Sequence, residues 1–392
     1  MSSRSSGNPK AIARERIEAA RGVLVELSHR IHAEPELGYQ EVRASGWVAD
    51  ALEQGGFAVE RGAHDLPTAL VARAGSGPLH VAICAEYDAL PEVGHACGHN
   101  MIAASAVGAG LGLAAVADEV GLTVSVIGTP AEEGGGGKVF LLERGAFDGV
   151  HLAMMVHPGP VDMPTMTIIA ATQFDARYTG REAHASAFPD QGINAADALT
   201  VAQVALGLLR QHLRPTDRVH GITTKGGDAP NVIPAHTSAR YMVRAQTLAE
   251  LDEVRSRVVR CFEAGAVATG ATLEIADASV AYAEMRFDKE LTSIYRGNAE
   301  ALGRSFPDLG EFGRRFTAST DMGNVSQSIP SIHPIIGVDS LPAANHQPEF
   351  AAHCITETAD RAVIEGAIAL AWTAIDAASS EPTRSRLIAS GN

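Results

Sequence analysis

Residues 86–100 read Glu-Tyr-Asp-Ala-Leu-Pro-Glu-Val-Gly-His-Ala-Cys-Gly-His-Asn, a run that concentrates metal-binding chemistry in one turn. Glu86 and Asp88 follow directly on an apolar stretch, and a thiol, Cys97, and two imidazoles, His95 and His99, come within a few residues. Thiolate and imidazole hold borderline-soft ions such as zinc, whereas carboxylates suit harder ones. The bland alternative is a buried thiol next to a histidine that caps a helix. A nucleophilic Cys–His pair fits less well. Residues two apart at a helix start do not face each other, and nucleophile and base usually come from distant positions. Ligation by Cys97 and His99 is the stronger reading, with His95 as a further candidate.

A second cluster, Glu132-Glu133, precedes four glycines and Lys138. Two adjacent carboxylates at a strand end can divide labour, one ligating an ion and the other moving a proton. Zinc lowers the pKa of a bound water to about 7, so a neighbouring carboxylate can act as general base and then as acid. A phosphate loop is excluded by spacing: Glu132 stands where the pattern requires glycine, and Val139 follows Lys138 where Ser or Thr is needed. His157 closes an apolar run before Pro158, and His346 lies in Ala-Asn-His-Gln-Pro-Glu-Phe. Each in isolation reads as an ordinary core or capping histidine.

The elements that must position these residues alternate between strand and helix. Helical periodicity covers residues 11–33 and 41–54, with strand-like runs at 69–72, 79–85, 122–127 and 152–156. Residues 101–117 form an uncharged run too short and glycine-rich to span a bilayer, which predicts a buried helix packed closely on a sheet. A helix is expected over 138–144. This order predicts an α/β fold with a mainly parallel sheet flanked by helices, and such sheets bind ligands beyond the carboxyl ends of their strands. Asp88, Glu132 and His157 each fall where a strand runs out. From residue 172 the pattern becomes strand 173–179, helix 195–213, strands 220–224 and 238–244, helix 248–268 and strand 272–281. That is a ferredoxin-like βαββαβ unit. Helical pattern returns at 288 and ends in a last helix over 355–374, after which the tail is expected to fray. The expected organisation is a main domain of residues 1–171 and 284–392 interrupted by an inserted domain of residues 172–283.

Composition narrows the function classes. A chain of 392 residues with 46% hydrophobic content is a two-domain globular protein by size. Its net charge of −15, with Lys and Arg scattered, argues against nucleic acid or an anionic membrane as partner. Four cysteines without framework spacing and a polar N-terminus lacking a secretory pattern make the cytoplasm the expected compartment.

Over nearly its whole length the chain resembles the metal-dependent aminoacylase, hippurate hydrolase and glutamate carboxypeptidase family. The likeness is greatest to the subgroup of p-aminobenzoyl-glutamate hydrolase and related dipeptidases. The resemblance rests on His29-Arg-Ile-His-Ala-Glu-Pro-Glu-Leu-Gly38, the 86–100 segment and Gly-Thr-Pro-Ala-Glu-Glu-Gly-Gly-Gly-Gly-Lys138. It extends to Ala183-His184-Ala185, Asn231-Val-Ile-Pro234 and Ser319-Thr-Asp-Met-Gly-Asn-Val-Ser326. It implies two divalent ions, zinc or manganese, with Cys97 bridging, His99 and His157 completing one ion, and Glu133 and His346 the other. Glu132 would be the general base and Asp88 the carboxylate that orients the site. The inserted domain would form a homodimer and lend His184 to the partner's site to polarise the scissile carbonyl. Asn231 would bind the carbonyl or the substrate carboxylate, and Arg244, with Arg240 on the same strand face, resembles the carboxylate-binding arginine.

Two departures matter. The wider family begins its metal site with His-x-Asp, where this chain has Glu86-Tyr-Asp88. Hippurate-hydrolase-like members carry Asp and a further His after the Cys-Gly-His triplet, where this chain has Asn100 and Ile102. The implied activity is hydrolysis of the amide bond of a small N-acyl or N-aroyl amino acid, or of a dipeptide. The alternatives are a non-catalytic paralogue or a subunit that needs a paralogous partner.

Overall fold

A computed structural model describes residues 7–310, 313 and 316–390. The polar start of the chain read for a targeting signal lies largely outside the described residues. The chain divides into two compact units, one running to Thr167 and resuming at Met285, the other Ile168–Glu284.

The larger unit is built on a six-stranded sheet. Its order is Ala58–Arg61, Leu70–Gly75, Leu122–Gly128, Leu79–Ala85, Leu152–Met154 and Ser331–Ile332. The last four strands pair in parallel, and the first two add antiparallel at one edge. Leu79–Ala85 and Leu122–Gly128 are buried almost end to end, as central strands covered on both faces must be. The Ala58–Arg61 edge strand has no clear apolar alternation and was not foreseen; three of its four residues are exposed.

The glycine-rich run is a helix, His99–Ala114, with every residue but the last buried. Its small residues are a packing requirement. A Cβ on Gly108 would stand 2.8 Å from Ala367 Cβ and 2.9 Å from Leu24 Cδ1, so only glycine lets three helices meet there. The Ala367 helix, Glu357–Ser379, is long and apolar enough to cross a membrane. However, 78% of its most apolar window is buried inside the protein, as befits a core helix.

Two expectations fail here. The 11–33 helix is two helices, Pro9–Ala19 and Arg21–Ala33, parted at Ala20, whose N–H turns to Ile17 O. The tail does not fray after Ser379 but forms the helix Glu381–Ser390. Buried Leu387 and the pairing of Arg386 with Asp288 at 2.7 Å and Glu290 at 3.0 Å anchor it.

The smaller unit runs strand Ala170–Thr179, helix Ala195–Leu209, strands Arg218–Lys225 and His236–Ala245, helix Leu248–Thr269 and strand Thr272–Asp277. The sheet is antiparallel, with the last strand beside the first and Arg218–Lys225 at the far edge. Both helices pack on one face around Phe174, Tyr241 and Phe262.

Candidate metal centre

The chemistry collects beyond the carboxyl ends of the parallel strands of the larger unit. After Ala85 the chain enters Glu86-Tyr87-Asp88, all fully or almost fully buried, and after Gly128 it turns through Pro130 and Ala131 to Glu132 and Glu133. Ala131 adopts φ +58°, and Glu41 accepts its N–H at 2.8 Å, which fixes this turn. Gly98, at φ +80°, caps the His99–Ala114 helix and turns Cys97 and His99 into the same space.

Three sets of donor atoms result, each with its members within 4.8 Å of one another: Cys97 with His99 and His157, Cys97 with Glu133 and His346, and Glu86 with His99 and Glu132. Cys97 belongs to the first two. Its Sγ is 3.4 Å from His157 Nε2, and His346 Nε2 is 3.3 Å from Glu133 Oε1. His99 Nε2 looks toward Glu86 Oε2 at 3.5 Å, Glu132 Oε2 at 3.8 Å and Glu133 Oε1 at 4.0 Å.

The remaining ring atoms are held from behind. Asp88 Oδ1 lies 3.0 Å from His99 Nδ1, and its Oδ2 accepts the Glu133 N–H at 2.9 Å, so one buried carboxylate orients residues from two loops. His157 Nδ1 meets Pro158 O at 2.8 Å, which turns Nε2 inward. The His346 N–H donates to Ala96 O at 2.8 Å, tying the distant loop, bent at φ +70°, to the Cys97 segment.

This arrangement fits metal ions. His99 Nε2 and Glu133 Oε1 are buried without a hydrogen-bond partner, an expensive condition unless something else satisfies them. Donors about 2.0–2.3 Å from a tetrahedral ion stand about 3.3–3.8 Å apart, and Cys97–His157 at 3.4 Å and Glu133–His346 at 3.3 Å fall in that range.

Electrostatics agree. Burial pushes the Glu132 carboxyl well above its usual range, and Glu86, Glu133 and Asp321 push further. Burial, then Glu133, raises the Cys97 thiol well above its ordinary value. For His99, burial works to lower the pKa, but Asp88 and Cys97 outweigh it and the net shift is upward. His157 is driven down to about 3 by burial and by His333. Ligands must shed protons to bind metal, so ion binding here is coupled to proton release.

Not every candidate joins this cluster. His95 belongs to none of the three donor sets; its buried ring lies against His32, 6.2 Å between centroids. His184, Asn231 and Arg244 lie in the smaller unit. There His184 is exposed and forms a β-bridge with Val232, and Ala185 N donates to Asn231 O, so the two loops run side by side. Arg240 gives two hydrogen bonds to Asp175, at 2.7 and 3.0 Å, whereas Arg244 is more deeply set and its pKa is lowered by burial.

Two features escaped the sequence reading. Lys138 is fully buried between Glu86 and Asp321. His333 is 2% exposed, 5.3 Å from the His157 ring. A signal for His333 existed: Val-His-Pro at 156–158 recurs as Ile-His-Pro at 332–334, and the two segments run in parallel.

Residues 82–364 match the model of peptidase family M20/M25/M40. The chain belongs to this family. It is a metal-dependent amidohydrolase by family, and the donor cluster is of the kind that such chemistry uses. The Xaa-Arg dipeptidase of Mus musculus is 39% identical over 384 residues, covering 94% of this chain and 88% of that one. One of the p-aminobenzoyl-glutamate hydrolase subunits of Escherichia coli (strain K12) is 32% identical over 318 residues, covering 76% of this chain and 64% of that one. Among solved structures, a Bacillus subtilis protein described as a dinuclear metal-binding peptidase of the M20 family superposes with a TM-score of 0.68. It is 22% identical, with 92% of this chain and 99% of that one covered. This M20-family hydrolase thus shares that protein's fold.

Proposed function

We propose that this hydrolase cleaves dipeptides with a basic C-terminal residue, with small N-aroyl amino acids of the p-aminobenzoyl-glutamate kind as the second substrate class. The observation that carries the reading is the 39% identity to an Xaa-Arg dipeptidase along 94% of the chain. The net charge of −15 supports it, because an acidic protein attracts cationic substrates.

Cys97 would be shared by two ions, with His99 and His157 on one and Glu133 and His346 on the other. The thiolate favours zinc, and the imidazole and carboxylate donors also suit manganese. When bound, the ions polarise the scissile carbonyl and make water nucleophilic at neutral pH. Glu132, buried and raised in pKa, takes the attacking water's proton and delivers it to the leaving amine. Asp88 keeps His99 and Glu133 aimed. His184 polarises the carbonyl from the inserted unit of a second copy. Asn231 and Arg244 receive the substrate carboxylate, Arg240 being committed to Asp175. The exposed edge strand Arg218–Lys225 and the outward Val204 and Leu208 support pairing through this unit. A paralogous partner is the alternative, suggested by the relative whose name describes it as one subunit of a hydrolase.

The test is elemental analysis of the purified protein, joined to hydrolysis of Xaa-Arg and Xaa-Lys dipeptides, acidic dipeptides, p-aminobenzoyl-glutamate and hippurate, before and after chelation. About two ions per chain and chelator-sensitive cleavage of the basic dipeptides are expected. Glu132→Gln should keep its ions and lose about 10²–10⁴-fold in turnover. A protein that takes up no metal would sink this reading, and cleavage only with a second, different subunit would replace it with the partner-dependent one.

A further inference from the structure

Three charged side chains at the donor cluster carry no role in the proposed reaction: Glu86, Lys138 and Asp321, all 0% exposed. Lys138 Nζ donates to Glu86 Oε1 at 2.5 Å and to Asp321 Oδ1 at 2.6 Å, while the Lys138 backbone N–H donates to Asp321 Oδ2 at 2.9 Å. Asp321 therefore grips Lys138 at both its main chain and its ammonium. The far oxygen of Glu86 faces His99 and, with His99 and Glu132, completes the third set of donor atoms.

A buried carboxylate next to divalent ions is itself an attractive ligand. Two effects oppose that outcome. The ammonium already engages one Glu86 oxygen in a short charge-assisted bond. A fixed positive charge at that distance also repels a cation approaching the same carboxylate, with little solvent to screen it. The tether to Asp321 matters because a lysine is flexible; with its backbone and its head held by one carboxylate, it cannot swing aside.

We propose that Lys138, fixed by Asp321, is a positioning residue that holds Glu86 out of the ligand set and keeps ions off the Glu86–His99–Glu132 triangle. Glu132 is thereby left without metal and able to carry a proton, so the inference rests on the general-base reading above. A purely structural ion triad would affect stability but not the number of ions bound.

The experiment counts ions. Chelator-stripped wild type, Glu86→Gln, Lys138→Met, Asp321→Asn and Lys138→Met/Glu86→Gln are titrated with zinc by calorimetry, and bound metal is measured after desalting. Wild type and Glu86→Gln should bind the same number of ions with affinities within threefold. Lys138→Met should take an additional ion or gain at least tenfold in affinity at one step, and the double variant should return to the wild-type count. Asp321→Asn, which loosens Lys138 while preserving shape, should shift the same way by threefold or more and gives the answer if Lys138→Met does not fold. Loss of an ion in Glu86→Gln overturns the proposal, because Glu86 is then a ligand. Unchanged ion count and affinity in folded Lys138→Met or Asp321→Asn overturns it as well. Failure of the wild type to bind metal would instead refute the hydrolase reading.

Discussion

Gly98 offers a quantitative check on how the fold builds the centre. It lies between Cys97 and His99 with φ at +80°, and an added Cβ would stand 2.4 Å from Pro158 Cγ and 3.2 Å from Cys354 Sγ. Pro158 follows His157, so the clash would push the Cys97–His99 turn and the His157 strand apart. A left-handed conformation costs a non-glycine residue about 1–2 kcal/mol. Overpacking against a rigid ring adds about 1–3 kcal/mol. Gly98→Ala should therefore destabilise the metal-free protein by about 2–5 kcal/mol, taking the two costs together. Gly149 supplies the control: its φ is +71° but nothing lies within 4 Å of its added Cβ, so Gly149→Ala should cost only the conformational part. Urea unfolding followed by tryptophan fluorescence suits the comparison, because Trp47 and Trp372 both lie in the larger unit. The Gly98 variant should also lose about tenfold or more in metal affinity, as when the groups behind metal ligands are disturbed. Equal destabilisation by the two substitutions would refute the packing argument. Full metal affinity in Gly98→Ala would refute the claim that this turn sets the donor geometry.

Two further outcomes are expected. Asp88→Ala removes the partner of His99 Nδ1 and of the Glu133 N–H, and should weaken metal binding by about 10–100-fold; calorimetric titration showing native affinity would remove Asp88 from its orienting role. Burial, assisted by Asp88, pushes Glu41 up from 4.5 to about 7. Between those values the folded protein holds a proton that the unfolded chain gives up, so this group's contribution to stability falls as pH rises through that window. Glu41→Gln preserves an acceptor for Ala131 and should be more stable than wild type at pH 8 but not at pH 4.5, in paired denaturation curves. An equal difference at both pH values would contradict the assignment.

The secondary structure was largely legible where its signal is local. The apolar run at 79–85 is the strand Leu79–Ala85 to the residue, and all six βαββαβ elements occur in the smaller unit. Misses occurred where tertiary contact overrides a local signal. The polar edge strand Ala58–Arg61 exists because Leu70–Gly75 offers it a partner, and the last helix is held by Asp288 and Glu290 rather than by its own propensity.

The same division holds for the centre. Residue types nominated Cys97, His99, Glu132 and Glu133, because thiol, imidazole and paired carboxylates after strand ends carry their chemistry wherever the chain puts them, whereas His157 and His346 were added only by the family resemblance. The sequence likewise determined the glycine run that must pack closely and the acidic balance of the whole. Only the tertiary structure decided which nominees meet: it brought Cys97 Sγ to His157 and His346 to Glu133, and sent His95 to pack against His32 instead. It also turned Lys138 from the end of a glycine loop into a buried counter-charge for Glu86 and Asp321. The physical reason is range. Propensity and periodicity act over a few residues, whereas burial, ion pairing and ligand geometry depend on distances that are fixed only when remote segments pack.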